Sequence, residues 1–430
     1  MPRPQLAAGL ALALLASLGL GLIAPAADAD DAGVRVPELG DPSLAELVLV
    51  GTAEDGLSTP RDLAFNPDRP EELWTVNRAD DSTVIYVDPG QPEQRIDKRI
   101  DVYAYHFMEE VSAISFGAGD TFATCQESRN TYNDQARAND FMGPTLWPAD
   151  LDLYAKANQG GGLRTPALLD AIMRGQLCGL EADPDQADRC TLGSHIDMNH
   201  QSPNCMGIEH QADNAYWTVD GFNGHIVYYD FAADHGLGCD DHSDGIVRRY
   251  PEASVIRVPG VPSHLALDAA TGWLYYADTG AGEVRRLDSA SGRRARDLGR
   301  SNEPLAEYSA WSGVTVETFA TGLQAPSGLA LGDGRLFVSD FATGEILAFD
   351  LETGDELARL ATGAEGIMGL ALGPDARLWF VDGLADRLLR VDPHEVPPTP
   401  SPSPSPEPTL TPTATATPER FQGFLPWLQP

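Results

Sequence analysis

The sequence has little positive charge. Its 430 residues include 29 Lys and Arg against 64 Asp and Glu, which gives a formal net charge of −35 at pH 7. A surface of this sign repels phosphate groups and so disfavours nucleic acids and anionic membranes as partners. It suits solubility outside the cell, and it attracts cations.

Several catalytic motifs are also missing. The chain has no Gly-x-Ser-x-Gly nucleophile elbow, no glycine-rich loop that would hold phosphates, and no His-Glu-x-x-His zinc helix. Any chemistry must therefore come from side chains that the fold brings together from distant positions.

Long apolar runs are absent beyond the N-terminus. Residues 2–29 contain one early arginine, an Ala/Leu/Gly-rich stretch and a small-residue ending, which predicts a signal peptide over residues 1–29. An uncleaved anchor helix is the alternative, because the run approaches the length of a membrane span. We expect an extracellular or cell-surface protein.

What the chain does contain is a repeat. Residues 325–350, APSGLALGDGRLFVSDFATGEILAFD, hold three short apolar runs separated by turn residues, a pattern typical of antiparallel strands. Similar units occupy residues 60–88, 204–230, 262–288 and 366–392, and a weaker one begins near Glu110. Six units predict an all-β, six-bladed β-propeller over residues 30–393, because such repeats bury their faces against one another.

The last repeat lacks an outer strand. Residues 46–50 have no other partner, so we expect them to pair beside residues 388–391 and close the ring. An ordered N-terminal extension is the alternative. After the ring, residues 394–420 form a Pro/Ser/Thr-rich linker and residues 421–430 a short apolar tail, suited to surface attachment or otherwise disordered.

The repeat is interrupted at about residues 127–201. Residues 145–147 and 151–154 are expected to form outer strands of blade two, and residues 165–175 a short helix. The rest of this insertion is expected on the top face, the face where the first strand of each blade begins. A long loop on a rigid scaffold is a common location for function.

Five cysteines in an exported chain indicate disulfides. Cys125 ends the second strand of blade two and Cys205 begins blade three, so the two should be neighbours on the top face. Cys178 and Cys190 share the insertion and form the second predicted bridge, which leaves Cys239 unpaired. The alternative is that no bridge forms.

Histidines occur at positions predicted on the top face. His264 takes a strand start in blade four where the repeat has a small residue, and the segment of residues 194–200 adds imidazole and carboxylate groups. Strand starts converge on the propeller axis, so His106, His200 and His264 are predicted to share a zinc-like ion. Hydrogen bonding to neighbouring groups is the alternative. The candidate ligands are His106, His195, His200 and His264, and the candidate bases are Glu109 and Asp197.

An acidic loop between the last two strands of blade three is a second candidate ion site. Its carboxylates suit Ca²⁺, although the EF-hand spacing is absent, and a solvated loop is the alternative. We expect this loop at the opposite, outer end of the blade. Its candidate ligands are Asp234, Asp240, Asp241 and Asp244.

Other polar side chains are predicted at the channel mouth. Arg61 and Arg129 are assigned to orient an anionic or carbonyl-bearing ligand beside the metal ion. The other candidate ligand-binding residues are Asp62, Asn77, Arg78, Asn130, Asn204, Asp220 and Asp278.

The Gly-Leu-Ala-Leu strand start, the second strand ending in Asp and the Gly-Glu-Ile/Val turn resemble NHL-repeat six-bladed propellers over most of residues 60–392. Peptidyl-hydroxyglycine lyases in that group hold an axial zinc ion with histidines at strand starts, which for this chain implies His264 and His106. Gluconolactonase-type propellers are similar in fold.

These observations predict a monomeric, exported propeller that binds a small molecule, peptide or carbohydrate at its top-face channel mouth through a divalent metal ion. The alternative is a metal-assisted lyase or hydrolase that uses the same site. A third interpretation is a purely structural extracellular spacer.

Overall fold

A computed structural model of the chain describes Leu39 and residues 45–129, 142–159, 192–238, 241–299 and 304–393. Six antiparallel sheets follow one another along the chain, and each inner strand begins on the same face, the top face. This is the predicted six-bladed β-propeller.

Blades one to three take their strands from the first part of the chain. Blade one has β2 (Pro60–Phe65), β3 (Glu72–Asn77), β4 (Ser82–Val87) and β5 (Arg95–Arg99). Blade two has β6 (Val111–Phe116), β7 (Thr121–Gln126), β8 (Thr145–Pro148) and β9 (Asp197–Met198). Blade three has β10 (Cys205–Ala212), β11 (Ala215–Asp220), β12 (His225–Asp230) and β13 (Ile246–Ser254). A four-residue helix, α1 (Ala104–Phe107), lies on the connection from blade one to blade two.

Blades four to six follow. Blade four has β14 (Leu265–Asp268), β15 (Trp273–Asp278), β16 (Glu283–Asp288) and β19 (Val316–Ala320). Blade five has β20 (Pro326–Gly332), β21 (Arg335–Asp340), β22 (Glu345–Asp350) and β23 (Glu356–Ala361). Blade six has β24 (Ile367–Leu372), β25 (Leu378–Asp382), β26 (Arg387–Pro393) and the N-terminal β1 (Ala45–Gly51). The strand β1 pairs with β26 in antiparallel register, Leu47 opposite Val391, so the predicted ring closure is confirmed.

The core lies between blades. Six hydrophobic clusters each combine side chains of two neighbouring blades, for example Trp74 of blade one with Trp147 of blade two, and together they cover all six interfaces of the ring. Close approach at the inner strands requires glycine: a Cβ on Gly207 would lie 2.2 Å from the Ser263 carbonyl oxygen, and one on Gly328 would lie 2.3 Å from that of Met368.

Blade two departs from the prediction at its outer edge. Residues 145–147 do form a strand, but residues 151–154 form turns, and the outermost strand is β9. Asp197 and its neighbours in residues 194–200 are therefore buried in blade two and its flanks instead of forming a top-face loop.

A further hairpin was not predicted. The strands β17 (Arg293–Asp297) and β18 (Glu307–Ser312) leave the connection between the last two strands of blade four, and β18 pairs in parallel with β13 of blade three. Arg248 of β13 packs over the ring of Trp311 and pairs with Glu307 across this added edge. The hairpin covers a strand edge that would otherwise be open.

The disulfide Cys125–Cys205 is confirmed and joins blades two and three, with the two Cα atoms 5.4 Å apart. Within the described ranges, no helix has the length and apolar character that a membrane span requires. The predicted signal peptide, the helix at 165–175, the pair Cys178–Cys190, Cys239 and residues 394–430 lie outside the described residues.

Candidate functional site

A pocket of about 320 Å³ opens on the top face between blades two and three. Its lining comes from the connections that lead into the inner strands β6, β10 and β14 and from the segment that follows the second strand β7. The lining residues are Glu109, Glu110, Glu127, Ser128, Arg129, Asn204 and Arg257.

Glu127 is the centre of this arrangement. It directly follows β7, and its side chain is buried. One oxygen lies 3.5 Å from the guanidinium of Arg61 and 3.7 Å from that of Arg78. The other oxygen contacts Arg257 and accepts a hydrogen bond of 2.9 Å from the backbone N–H of Gly260. Three arginines, one from the inner strand β2 and two from connections, therefore converge on one buried carboxylate.

Arg61 is the second residue of the inner strand β2. The residue is 3% exposed, and its guanidinium donates a hydrogen bond to the carbonyl of Gly260. Burial lowers the pKa of Arg61 to about 10, while the nearby charge of Glu127 partly opposes this shift. Arg61 stays cationic at neutral pH and fixes the loop that carries Arg257.

Glu109 is a pocket residue whose pKa is shifted. Burial, followed by the charges of Asp81 and Glu110, raises its pKa to about 6, and a hydrogen bond with Ser128 works in the opposite direction. Near neutral pH this carboxyl changes protonation state readily. It can accept a proton or donate a hydrogen bond within the pocket.

The pocket combines donors and acceptors. The guanidinium groups of Arg129 and Arg257 and the amide of Asn204 can donate hydrogen bonds, whereas Glu109 and Glu110 can accept them. Glu110 also pairs with Arg78 at 2.9 Å. The arrangement suits a small polar molecule that carries a carboxylate together with hydroxyl or amino groups.

Three of the predicted ligand-binding residues support blade turns. Asn77 accepts a hydrogen bond from the Ser58 N–H, Asp278 accepts one from the Ile256 N–H, and the buried carboxylate of Asp220 pairs with Arg249 at 2.7 Å. None of the three lines the top-face pocket, whereas Asn204 does and Arg78 contacts its edge. Asn130 lies outside the described residues.

His106 and His200 are brought together near the outer part of blades two and three. Their ring centroids are 6.4 Å apart, and His200 is 5.3 Å from the ring of His242. The Nδ1 atom of His242 lies 2.7 Å from Oδ1 of Asp197, and both side chains are buried. The predicted base Asp197 is thus engaged in blade two and does not line the pocket.

The other two predicted metal ligands are placed elsewhere. His195 stacks on Phe107 with ring centroids 3.7 Å apart, and its Nδ1 lies 2.7 Å from the carbonyl oxygen of Leu192. His264 is on the inner wall, where its Nδ1 lies 3.4 Å from Oδ2 of Asp62. Across the described residues, no three His, Cys, Asp or Glu side chains form a group that could hold a metal ion, so His106, His200 and His264 do not form the predicted triad.

The acidic loop of blade three packs against blade two. Asp244 pairs with His235 at 3.1 Å, and Asp234 and Asp241 accept hydrogen bonds from nearby backbone N–H groups. Asp240 lies outside the described residues, and the Ca²⁺ site stays a prediction.

Glu127 and Arg257 were not among the predicted site residues. Glu127 directly follows the second strand of blade two, at the position that Arg78 holds in blade one, and Arg257 lies in the connection from blade three to blade four. A search for charged residues at the top-face ends of the strands and in the adjoining connections would have found both, since Arg61 and Arg78 lie at strand ends and Arg257 lies in a connection.

No protein-family model matches the sequence, and no curated protein does. Among solved structures, an auxiliary nutrient binding protein from Bacteroides thetaiotaomicron is similar with 11% identity and a TM-score of 0.47, over 84% of this chain and 76% of that one. A luciferin-regenerating enzyme is similar with 14% identity and a TM-score of 0.46, over 80% and 95% of the two chains. A streptogramin B lyase is similar with 12% identity and a TM-score of 0.41, over 81% and 98%.

Proposed function

We propose that the protein is an exported, surface-associated propeller whose top-face pocket binds a small hydroxy-carboxylate. The observation that carries this proposal is the convergence of Arg61, Arg78 and Arg257 on the buried Glu127. Arginine binds carboxylates with paired N–H donors, and the Glu109 and Glu110 carboxylates next to it suit hydroxyl donors of the same ligand.

Export is supported by the N-terminal sequence and by the buried disulfide. Structural disulfides belong to oxidising compartments, and Cys125–Cys205 joins two blades in the protein core. We also propose that residues 1–29 act as the export signal, that residues 394–420 form a stiff linker, and that residues 421–430 attach the propeller to a surface.

A divalent ion is not needed for this proposal. Among the described residues no group of three metal ligands occurs, and the zinc-like ion implied by the resemblance stays a prediction. Elemental analysis of chelator-free protein beside a His264→Ala variant tests the prediction. Loss of one bound equivalent in the variant would establish a site that involves His264.

The binding proposal is tested by calorimetric titration of the full-length protein. D-galacturonate is the first probe, and D-galactose is its neutral counterpart. We expect galacturonate to bind, galactose to bind at least tenfold more weakly, and Arg257→Gln to lose at least tenfold in affinity because an Arg–carboxylate pair is removed. Arg359→Gln, on the outer strand of blade five, is the control and should bind as the parent does. Equal binding by the Arg257→Gln protein, or no binding of any hydroxy-carboxylate tested, would overturn the proposal.

A second candidate function is a lyase or hydrolase in which Glu109 acts as base. The half-buried position of Glu109 in the pocket and its pKa of about 6 favour this role. The test is turnover of bound hydroxy-carboxylates and their esters. Loss of turnover in Glu109→Gln, with binding retained, would assign catalysis to this residue, whereas binding without turnover leaves a binding protein.

A further inference from the structure

The inner strands place two rings of six residues around the propeller axis. Pairing with the second strand of each blade defines equivalent positions in the six inner strands. In every blade one inner-strand residue lies opposite the third-from-last residue of the second strand. These residues are Leu63, Ile114, Ile208, Leu265, Leu329 and Leu370. The residue before each forms the first ring, which is Asp62, Ala113, Gly207, His264, Gly328 and Gly369, and the residue after each forms the second, which is Ala64, Ser115, Glu209, Ala266, Ala330 and Ala371. Nine of the twelve are Gly, Ala or Ser. The exceptions are Asp62, Glu209 and His264.

The first ring is the closed end of the axis. A Cβ on Gly369 would lie 2.6 Å from the Cα of Asp62, so neighbouring inner strands are in contact at this level. Asp62 and His264 fill the space that the glycines leave, and their side chains lie 3.4 Å apart between Oδ2 and Nδ1. Both residues are buried.

Below this ring the axis widens into a cavity of about 640 Å³. The inner strands of all six blades line it, and leucines and alanines make up half of its lining residues. Asp62 and His264 form its inner end, and Glu209 lies on the wall one ring further along. This axial cavity is separate from the top-face pocket, with which it shares no lining residue.

The polar groups at the inner end are hydrogen-bond acceptors. Asp62 accepts hydrogen bonds of 2.9 Å from the Leu63 and Ile114 N–H groups. Glu209 uses Oε1 to accept one of 3.0 Å from the Leu267 N–H, which leaves Oε2 for another donor. His264 is 4% exposed, and among the described residues its Nε2 atom has no hydrogen-bond partner.

We propose that the axial cavity is a second ligand site, which binds a molecule with a protonated amino group and a narrow apolar body. The ammonium group lies among Asp62, Glu209 and His264, and the apolar body lies along the leucine-lined wall. A buried polar atom without a partner is costly, and the three N–H donors of an ammonium group match the acceptors present.

Other ligand classes fit this cavity less well. An anion would meet two carboxylates, and a neutral apolar molecule would leave the Nε2 atom of His264 unsatisfied. A metal ion requires ligand atoms within about 2.6 Å of one point, whereas an ammonium group bonds at about 2.9 Å to acceptors that are further apart. The net charge of −35 also favours the approach of cations.

The titration of these groups is consistent with a cation site. Burial raises the pKa of Asp62 and raises that of Glu209 to about 7, and burial lowers the pKa of His264 to about 4. At neutral pH the imidazole is therefore uncharged and Glu209 is about half protonated, so a bound ammonium group would favour the ionised form of Glu209.

The experiment titrates the full-length protein at pH 8 with n-butylamine, n-hexylamine and n-octylamine, and with n-hexanol and hexanoate as matched controls. We expect hexylamine to bind at least tenfold more tightly than hexanol, and hexanoate not to bind. Glu209→Gln keeps an oxygen that can accept from the Leu267 N–H and should lose at least tenfold in affinity for hexylamine. Arg257→Gln, in the top-face pocket, should bind hexylamine as the parent does.

Equal affinity for hexylamine and hexanol, an unchanged affinity in Glu209→Gln, or no binding of any amine would overturn the proposal. If Glu209→Gln does not fold, Ala371→Leu decides the question. That substitution keeps every charge but narrows the second ring, so it should abolish amine binding, and retained binding would place the amine elsewhere.

Discussion

Burial of single carboxyl groups sets the properties of both cavities. In the top-face pocket, three arginines surround the carboxylate of Glu127, so the site can bind a second carboxylate only through the N–H donors that remain. In the axial cavity, Glu209 forms no ion pair with any described residue, and burial raises its pKa to about 7. We therefore propose an anionic ligand for the first site and a cationic ligand for the second.

Glu209 should make the stability of the protein depend on pH. Its folded-state pKa of about 7 is above the ordinary value of 4.5, so between these values the folded protein holds a proton that the unfolded chain has lost. The free energy of unfolding should therefore fall as pH rises through this window. Glu209→Gln removes this contribution, so the variant should gain about 1–3 kcal/mol relative to the parent between pH 4.5 and pH 8.

Urea denaturation of both proteins at the two pH values measures this difference. Asp62 titrates in the same direction, and the charge of Glu209 contributes to its raised pKa, so the measured difference includes this coupling between the two carboxyl groups. A stability difference that does not change with pH would show that Glu209 is not held in a desolvated site.

The N-terminal strand β1 completes the last blade of the ring. It covers the edge of β26, and Leu47 packs against the core between blades five and six. Without β1, blade six would have three strands and an open edge, and only side-chain packing would join blade six to blade one.

Leu47→Asp should destabilise the protein by about 2 kcal/mol, because a charge replaces an apolar contact in the closing strand. Leu49→Asp is the matched control, since Leu49 lies in the same strand and is 54% exposed. Its effect should stay within about 0.5 kcal/mol. Equal losses in the two variants, measured by urea denaturation, would contradict the assigned closure.

The elements that the sequence predicted are those that repeat. The six blades, β1 and the Cys125–Cys205 bridge follow from strand starts and ends that recur along the chain, so their neighbours in space are determined by register. The two-residue strand β9 and the pair β17–β18 have no such pattern. Their positions depend on pairing with strands that are distant in sequence, β8 for β9 and β13 for β18.

The candidate site was predicted less well for the same reason. His264 and Asp62 could be assigned to the axis because they replace small residues of the repeat, and the structure places both there. Glu127 and Arg257 belong to connections of unequal length, where register gives no information on spatial neighbours. His200 was expected near the axis, but burial of β9 in blade two places it beside His242.

At the largest scale, the described part of residues 45–393 is a ring of blades held mainly by the interfaces between neighbours, and the disulfide reinforces one of these interfaces. Cys125 and Cys205 are 80 residues apart in sequence, so the bridge closes a long loop in the unfolded chain. Chain entropy for a loop of this length predicts a stabilisation of about 4 kcal/mol.

The Cys125→Ser/Cys205→Ser double variant should therefore unfold at a lower temperature than the parent. Addition of a reductant should lower the melting temperature of the parent towards that of the variant and leave the variant unchanged. Identical melting temperatures under oxidising conditions would show that the interface between blades two and three does not depend on the bridge.

The central claim is that the top-face pocket is the site of hydroxy-carboxylate binding. The most direct measurement is a crystal structure of the full-length protein in complex with D-galacturonate. We expect the ligand carboxylate within hydrogen-bond distance of Arg257 or Arg129, with hydroxyl groups on Glu109 or Glu110. Ligand bound elsewhere on the propeller, or an empty pocket at a concentration that saturates binding in solution, would contradict the account.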